Sequence, residues 1–226
     1  MKKLILILGG ARSGKSDYAQ KLALERGGDD VLFIATAEAG DDEMRARIAQ
    51  HRAERNTRWR TLEATRNIAR ALTDAPPARV VLLDCVTLWV TNVLLDSPSG
   101  DGSHAVEFGV GAEPAILKEV DELLAWQHAS DAELIVVSNE VGMGIVPDNE
   151  LGRAYRDLLG AVNKKIAVEA DEVYFMVAGL AMIVKAGRGE IPPSPPLLRG
   201  VANHHAASED GGFESSGRDD SRGGIA

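Results

Sequence analysis

Leu4-Ile5-Leu6-Ile7-Leu8-Gly9-Gly10-Ala11-Arg12-Ser13-Gly14-Lys15-Ser16 opens on an unbroken apolar run, breaks into glycines and ends on a lysine and a serine. The run predicts a buried strand, and the residues after Lys15 have helical spacing, with Tyr18, Ala19 and Leu22 near one face. Between them, Gly9–Ser16 matches G-x-x-x-x-G-K-[ST] in full, in the strand-to-helix setting that the phosphate-binding loop requires. In that motif the glycines let successive backbone N–H groups turn inward around the β- and γ-phosphates, and the helix N-terminus adds positive potential. Lys15 supplies a mobile charge to the same phosphates, and the Ser16 hydroxyl is placed to coordinate Mg²⁺. A glycine-rich turn with no ligand is the bland alternative, and the full pattern in its setting argues against it. Arg12 either touches phosphate or is a solvated loop residue.

Four further apolar runs predict strands: Val31–Ala35, Val80–Leu83, Leu134–Ser138 and Val173–Val177, with Ile183–Lys185 as a possible short extra one. Most are continuous rather than alternating, as in strands covered on both faces. Helical spacing falls between them at Lys15–Glu25, Asp42–Arg55, Pro114–Gln127 and Asn149–Ala170. Alternating strands and helices predict an α/β domain, a mostly parallel sheet flanked by helices, over residues 1–185. Asp96–Gly111 is expected to be a surface loop. Residues 186–226 carry Ile191-Pro192-Pro193-Ser194-Pro195-Pro196 and a final stretch rich in Gly, Ser, Asp and Arg, a composition expected to be disordered.

Asp84 ends the third run, where a Walker B acid would hold Mg²⁺ directly or through water; the alternative is a cap for a helix starting near Val86. Ser138, Asn139 and Glu140 follow another buried strand, on the sheet edge where ligands sit in such folds. Glu140 is read either as a contact to substrate or metal or as an anchor of its loop.

The chain has 226 residues, 45% of them hydrophobic and 4% aromatic, so small aliphatic side chains must do most of the packing. A formal net charge of −9 argues against a general nucleic-acid or anionic-membrane binder. The single cysteine, Cys85, allows no internal disulfide and fits a reducing cytoplasm; it reads as a buried small hydrophobe rather than a reactive thiol. Met1-Lys2-Lys3 before the apolar run resembles the start of a signal peptide, but the run is too short and Arg12 follows closely. No run reaches membrane-spanning length.

In Asp42–Arg55, spacings of four, three and four put Met44, Ile48, His51 and Arg55 on one face. His51 is read as a structural histidine or as a nucleophile toward a nucleotide phosphorus, a role that suits a neutral imidazole titrating near physiological pH. His104, His128, His204 and His205 are weaker candidates.

The Gly9–Ser16 segment, Ile34-Ala35-Thr36-Ala37, Asp41-Asp42-Glu43-Met44, Arg47-Ile48, His51-Arg52 and Trp59-Arg60-Thr61 with Glu63 together resemble one family. So do Leu83-Asp84-Cys85-Val86-Thr87, Val90-Thr91-Asn92 and Ser138-Asn139-Glu140-Val141-Gly142-Met143-Gly144-Ile145-Val146-Pro147. It is the bifunctional adenosylcobinamide kinase / adenosylcobinamide-phosphate guanylyltransferase of cobalamin biosynthesis, and the likeness runs from about Lys3 to Lys185.

The resemblance implies a RecA-like P-loop NTPase fold. It also implies phosphorylation of adenosylcobinamide by ATP or GTP, then transfer of GMP from GTP to adenosylcobinamide phosphate through a guanylylated histidine. That histidine falls on His51, with Lys15 as the second catalytic residue. GTP contacts fall on Gly9, Gly10, Ala11, Arg12, Ser13, Gly14, Lys15, Ser16, Ala35, Thr36, Ala37, Arg52, Ala53, Glu54, Arg55, Glu63 and Asp84, with Mg²⁺ on Ser16 and Asp84. A cytoplasmic homo-oligomer, a trimer, is implied as well.

Two departures stand out. Asn56 follows Arg55 where the family often has proline, and Asn163-Lys164-Lys165-Ile166 lacks the aspartate of the N-K-x-D guanine motif. A P-loop small-molecule kinase without covalent nucleotidyl transfer is the second reading, and a nucleotide-gated switch the third. The large corrinoid is expected to use exposed loops or a subunit interface.

Overall fold

The computed structural model describes residues 2–38, 42, 45–46, 49, 52–53, 55–96 and 112–187. They form one seven-stranded sheet: β1 (Leu4–Gly9), β2 (Val31–Ala35), β3 (Arg60–Glu63), β4 (Val80–Asp84), β5 (Glu133–Val137), β6 (Glu172–Val177) and β7 (Leu180–Ala186). The order is β3-β2-β4-β5-β1-β6-β7, parallel throughout except for β7, which pairs antiparallel with β6. The helices are α1 (Lys15–Gly27), α2 (Ile68–Asp74), α3 (Val86–Asp96), α4 (Ala112–Ala129) and α5 (Glu150–Glu169). The expected α/β class is what the topology shows, and β5, lying between β1 and β4, gives the RecA-like order.

Strand periodicity divides the core. Leu4 and Leu6 face one side with Ile34, Leu83 and Val136, packed under α2, α3, α4 and α5. Ile5 and Ile7 face the other with Phe33, Leu82 and Val137, packed under Ala19, Leu22 and Ala23 of α1 and under Trp59. Apart from Glu133 and Asp84 at strand ends, the central strands are therefore apolar on both faces, the pattern of strands buried on both sides.

All five predicted strands are present, and the short extra strand is the full edge strand β7. Two elements were not expected. β3 alternates half-buried and exposed residues and pairs only with β2, so it lacks an apolar run. α2 has seven residues, of which only Ile68 and Leu72 are buried. Of the helix expected at Asp42–Arg55, the described residues Asp42, Arg45, Ala46, Ala49, Arg52 and Ala53 are helical and exposed. Met44, Arg47, Ile48, His51 and Glu54, and the expected loop and tail at 97–111 and 188–226, lie outside the described residues.

Candidate active site

Parallel pairing sets the strand ends in one line. Ile7 is level with Val137, Val137 with Asp84, and Asp84 with Ala35, so the segments after β1, β2, β4 and β5 leave the sheet along one edge. They enclose a cleft of about 620 Å³ lined by Ala11–Ser16, Asp17, Gln20, Phe33, Ala37, Arg55, Asp84, Cys85, Thr87, Leu88, Val137 and Asn139.

The phosphate loop has the backbone its motif demands. Gly14 precedes α1 in the left-handed region (φ 88°) and no side chain caps the helix, which leaves its first N–H groups to a ligand. A Cβ on Gly9 would stand 2.6 Å from the Met176 carbonyl oxygen and 2.7 Å from Ser13 Oγ, so this turn excludes any side chain. Lys15 is buried and its Nζ donates to the Gly10 carbonyl at 2.6 Å. Burial lowers its pKa, against the opposing pull of Cys85 and Asp84.

Arg55 reaches the cleft from the other side. Its guanidinium lies 3.8 Å over the Phe33 ring, and its buried Nε finds no hydrogen-bond partner among the described residues. Burial lowers its pKa; Asp84 and Glu63 oppose this, and Arg52 adds to it. A desolvated cation stacked on an aromatic face beside a phosphate loop is suited to an anionic ligand.

The other expected residues divide plainly. Ala11, Arg12, Ser13, Gly14, Lys15, Ser16, Ala37, Arg55 and Asp84 come together in the cleft, whereas Gly9, Gly10, Ala35, Thr36, Arg52, Ala53 and Glu63 are not among its lining residues. Thr36 is fully buried and braces the wall: its hydroxyl donates to the Cys85 carbonyl at 2.7 Å and accepts from the Cys85 N–H at 2.9 Å. Arg52 pairs with Glu63 at the surface. His51 and Glu54 lie outside the described residues. α3 opens at Val86, so Cys85, not Asp84, directly precedes it. Cys85 is half-buried and lines the cleft, so it is not the buried small hydrophobe expected, but desolvation and the neighbouring Asp84 push its thiol up to about 11, which fits the unreactive reading.

Sequence reasoning missed Phe33, a strand residue indistinguishable from core, and the supporting frame around Asn139. Asn139 N–H donates to Thr87 Oγ1 at 3.0 Å, and its carbonyl accepts from Asn163 Nδ2 at 3.0 Å. Asn163 Oδ1 in turn accepts from Ser138 Oγ at 2.6 Å, so this asparagine, singled out when the guanine motif was sought, is a buried strut. Glu140 behaves as an anchor: its N–H donates to the Gly9 carbonyl at 3.0 Å and its Oε1 accepts from Gly142 N–H at 2.6 Å.

Comparison with known proteins bears directly on this cleft. The family model for cobinamide kinase / cobinamide phosphate guanyltransferase matches residues 5–184. The bifunctional adenosylcobalamin biosynthesis protein CobU of Escherichia coli (strain K12) is 44% identical over 184 residues, which is 80% of this chain and 99% of the relative. The corresponding CobP of Pseudomonas aeruginosa is 46% identical over 183 residues, 80% of this chain and 96% of the relative. Among solved structures, the flagellar accessory protein FlaH from Methanocaldococcus jannaschii has a TM-score of 0.45 at 15% identity, covering 84% of this chain and 82% of its own. The ATPase domain of G40P has a TM-score of 0.46 at 14% identity, with coverages of 83% and 78%. The family match runs from β1 into β7 and takes in every residue that lines the cleft, and the curated relatives are covered almost end to end: this chain belongs to the cobinamide kinase / cobinamide phosphate guanyltransferase family.

Proposed function

We propose that this protein phosphorylates adenosylcobinamide, with ATP or GTP as donor, and then transfers GMP from GTP to adenosylcobinamide phosphate, releasing pyrophosphate and giving adenosylcobinamide-GDP. The observation that carries this is the cleft that joins the Gly9–Ser16 loop, Asp84 and Arg55 in a chain of this family. In the kinase step the acceptor hydroxyl of the aminopropanol arm attacks the γ-phosphorus. The loop N–H groups and Lys15 hold the phosphates, and positioning with charge neutralisation supplies most of the acceleration. In the transferase step His51 attacks the α-phosphorus of GTP. A nitrogen–phosphorus bond forms, the bond to the bridging oxygen breaks, and pyrophosphate leaves into the same cradle. An oxygen of adenosylcobinamide phosphate then takes the GMP and frees His51. Arg55, four residues along, contributes a cation to that phosphate group.

The Ser16 hydroxyl and the Asp84 carboxylate both line the cleft, and this hard-oxygen pair suits Mg²⁺ held jointly with substrate phosphates. The ion would add Lewis-acid polarisation of the phosphoryl oxygens.

Incubation with α-labelled GTP should leave an acid-labile, alkali-stable label on the protein that adenosylcobinamide phosphate discharges. Label that persists in His51→Ala would reject the histidine. Phosphorylation of cobinamide with no trapped GMP would leave the plain kinase.

A homo-oligomer, a trimer by resemblance, is supported by β7, an edge strand among the described residues, whose Leu180, Met182, Ile183 and Val184 stand exposed; sedimentation at single-subunit mass would oppose it. Among the described residues no helix is long and apolar enough to cross a membrane. The cytoplasmic setting is carried by the resemblance, and cell fractionation checks it.

A further inference from the structure

The segment after β5 leaves the sheet at the root of the phosphate loop, through the bond from Glu140 N–H to the Gly9 carbonyl. Its near end is fixed by the Asn139, Thr87 and Asn163 bonds described above and by Gly142 N–H on Glu140. Its far end is fixed by Arg153, whose Nη1 donates to the carbonyls of Pro147 (3.1 Å) and Asp148 (2.8 Å), and by the Asn149 side chain, which caps α5 through Gly152 N–H at 2.7 Å. Between these two pinned ends the side chains are unpacked: Met143 is 80% exposed, Ile145 96% and Val146 60%. Exposed large apolar side chains occur singly on most surfaces, but three within four residues of a tethered loop form a patch that calls for a partner.

The patch begins four residues after Asn139, which lines the cleft, so chain connectivity keeps Met143 within about 14 Å of that lining residue. That nearness selects the occupant. A nucleoside triphosphate takes up most of a cleft of about 620 Å³, so the acceptor can bring in only its hydroxyl or phosphate arm. Its macrocycle must then rest outside, on a surface beside the cleft mouth. A corrin ring presents methyl groups and hydrocarbon edges between its amide arms, and a pliable thioether with two branched aliphatic side chains suits such an outline.

Resting on the cobinamide reading above, we infer that Met143, Ile145 and Val146 form the seat of the corrinoid macrocycle and set acceptor affinity rather than nucleotide affinity. The test is steady-state kinase turnover with ATP and cobinamide for the parent, Ile145→Ser, Ile145→Leu and the double variant Met143→Ser/Ile145→Ser. Equilibrium dialysis of cobinamide and α-labelled GTP trapping without corrinoid accompany it. Loss of one buried aliphatic side chain should raise the KM for cobinamide about ten- to a hundredfold in Ile145→Ser, and further in the double variant. Meanwhile kcat, the KM for ATP and the trapped label should stay within about twofold of the parent, and Ile145→Leu should restore cobinamide affinity. Parental affinity for cobinamide in the double variant would overturn the seat, and a simultaneous fall in sedimentation mass would make the loop a subunit contact instead. A parent that traps GMP but is inert toward cobinamide fails the reading on which the seat rests, a result distinct from variants that turn over as the parent does.

Discussion

Replacing Arg55 by methionine should separate what this residue does for the fold from what it does for the ligand. Methionine keeps an unbranched apolar stem over Phe33 and removes the guanidinium. In the ligand-free protein the loss is the cation–π contact, about 0.5–2 kcal/mol. Against it stands the relief of a buried charge: burial is the largest influence on Arg55 and outweighs the favourable pull of Asp84. The two effects oppose each other, so unliganded stability should stay within about 1 kcal/mol of the parent, or a melting shift of about 2–4 °C for a domain of this size. Binding should respond differently. One charge-assisted hydrogen bond to phosphate contributes about 1.5–3 kcal/mol, so Kd for GTP should rise about ten- to a hundredfold. At a GTP concentration of about 100 times the parental Kd, the ligand stabilises the parent by about 2.7 kcal/mol. The variant would retain about 1.4 kcal/mol if binding weakens tenfold and about 0.4 kcal/mol if a hundredfold. Thermal melts with and without GTP, with calorimetric titration for Kd, measure both halves. An undiminished GTP-induced shift would remove Arg55 from the phosphate site. A loss of more than about 3 kcal/mol without ligand would make it a structural residue instead.

Two further predictions concern buried carboxylates. Glu133 has a buried Oε1 with no hydrogen-bond partner among the described residues, and burial raises its pKa more than Arg26 lowers it. A carboxyl raised on folding favours the native state only below its unfolded pKa of about 4.3, and that advantage is lost as pH rises through the folded value. Glu133→Gln should therefore be more stable than the parent at pH 7.5, with the difference closing toward pH 4; urea melts showing the reverse order would refute the assignment. Glu119 accepts bonds from Trp89 Nε1 and Asn67 N–H, both at 2.8 Å, and from Arg66 at 3.2 and 3.3 Å. Glu119→Ala strands the indole donor inside the core and should cost about 3–5 kcal/mol in urea denaturation, a figure that a measured loss under about 1 kcal/mol would contradict.

The sequence carried the parts of this molecule that are local. A buried parallel strand shows as a continuous apolar run, and the phosphate loop is contiguous, so its glycine geometry can be read from spacing alone. β3 was hidden because Arg60, Thr61 and Glu63 give it a polar composition and its pairing with β2 supplies the order that its own side chains do not. α2 was hidden because two turns are too few to show a period, and Asn67 before it adopts a left-handed φ of 51° with no side-chain cap. In the site, Asp84 was legible from its place at a strand end. The stacking of Arg55 on Phe33 was not, since it joins positions far apart in the chain, and neither was the bracing of Cys85 by Thr36. For Glu140 two roles were open; which one it takes depended on whether its loop folded back on Gly9, a tertiary fact.

The charge arrangement follows from strand order. β5 separates β1 from β4, so Asp84 stands two strand spacings, about 10 Å, from the root of the phosphate loop. Lys15 approaches from the β1 side, and Arg55 approaches from beyond β4, over Phe33 on β2. Asp84 raises the pKa of both cations, yet burial prevails at each and both remain lowered. Both cations are therefore held at a desolvation cost, which an anionic ligand entering the cleft would offset. A net charge of −9 gives the chain as a whole no means of attracting phosphate. The attraction has to arise within a few ångströms, where burial strengthens it. The same demand for an anion fits both proposed reactions, since each would start from a nucleoside triphosphate bound in this cleft.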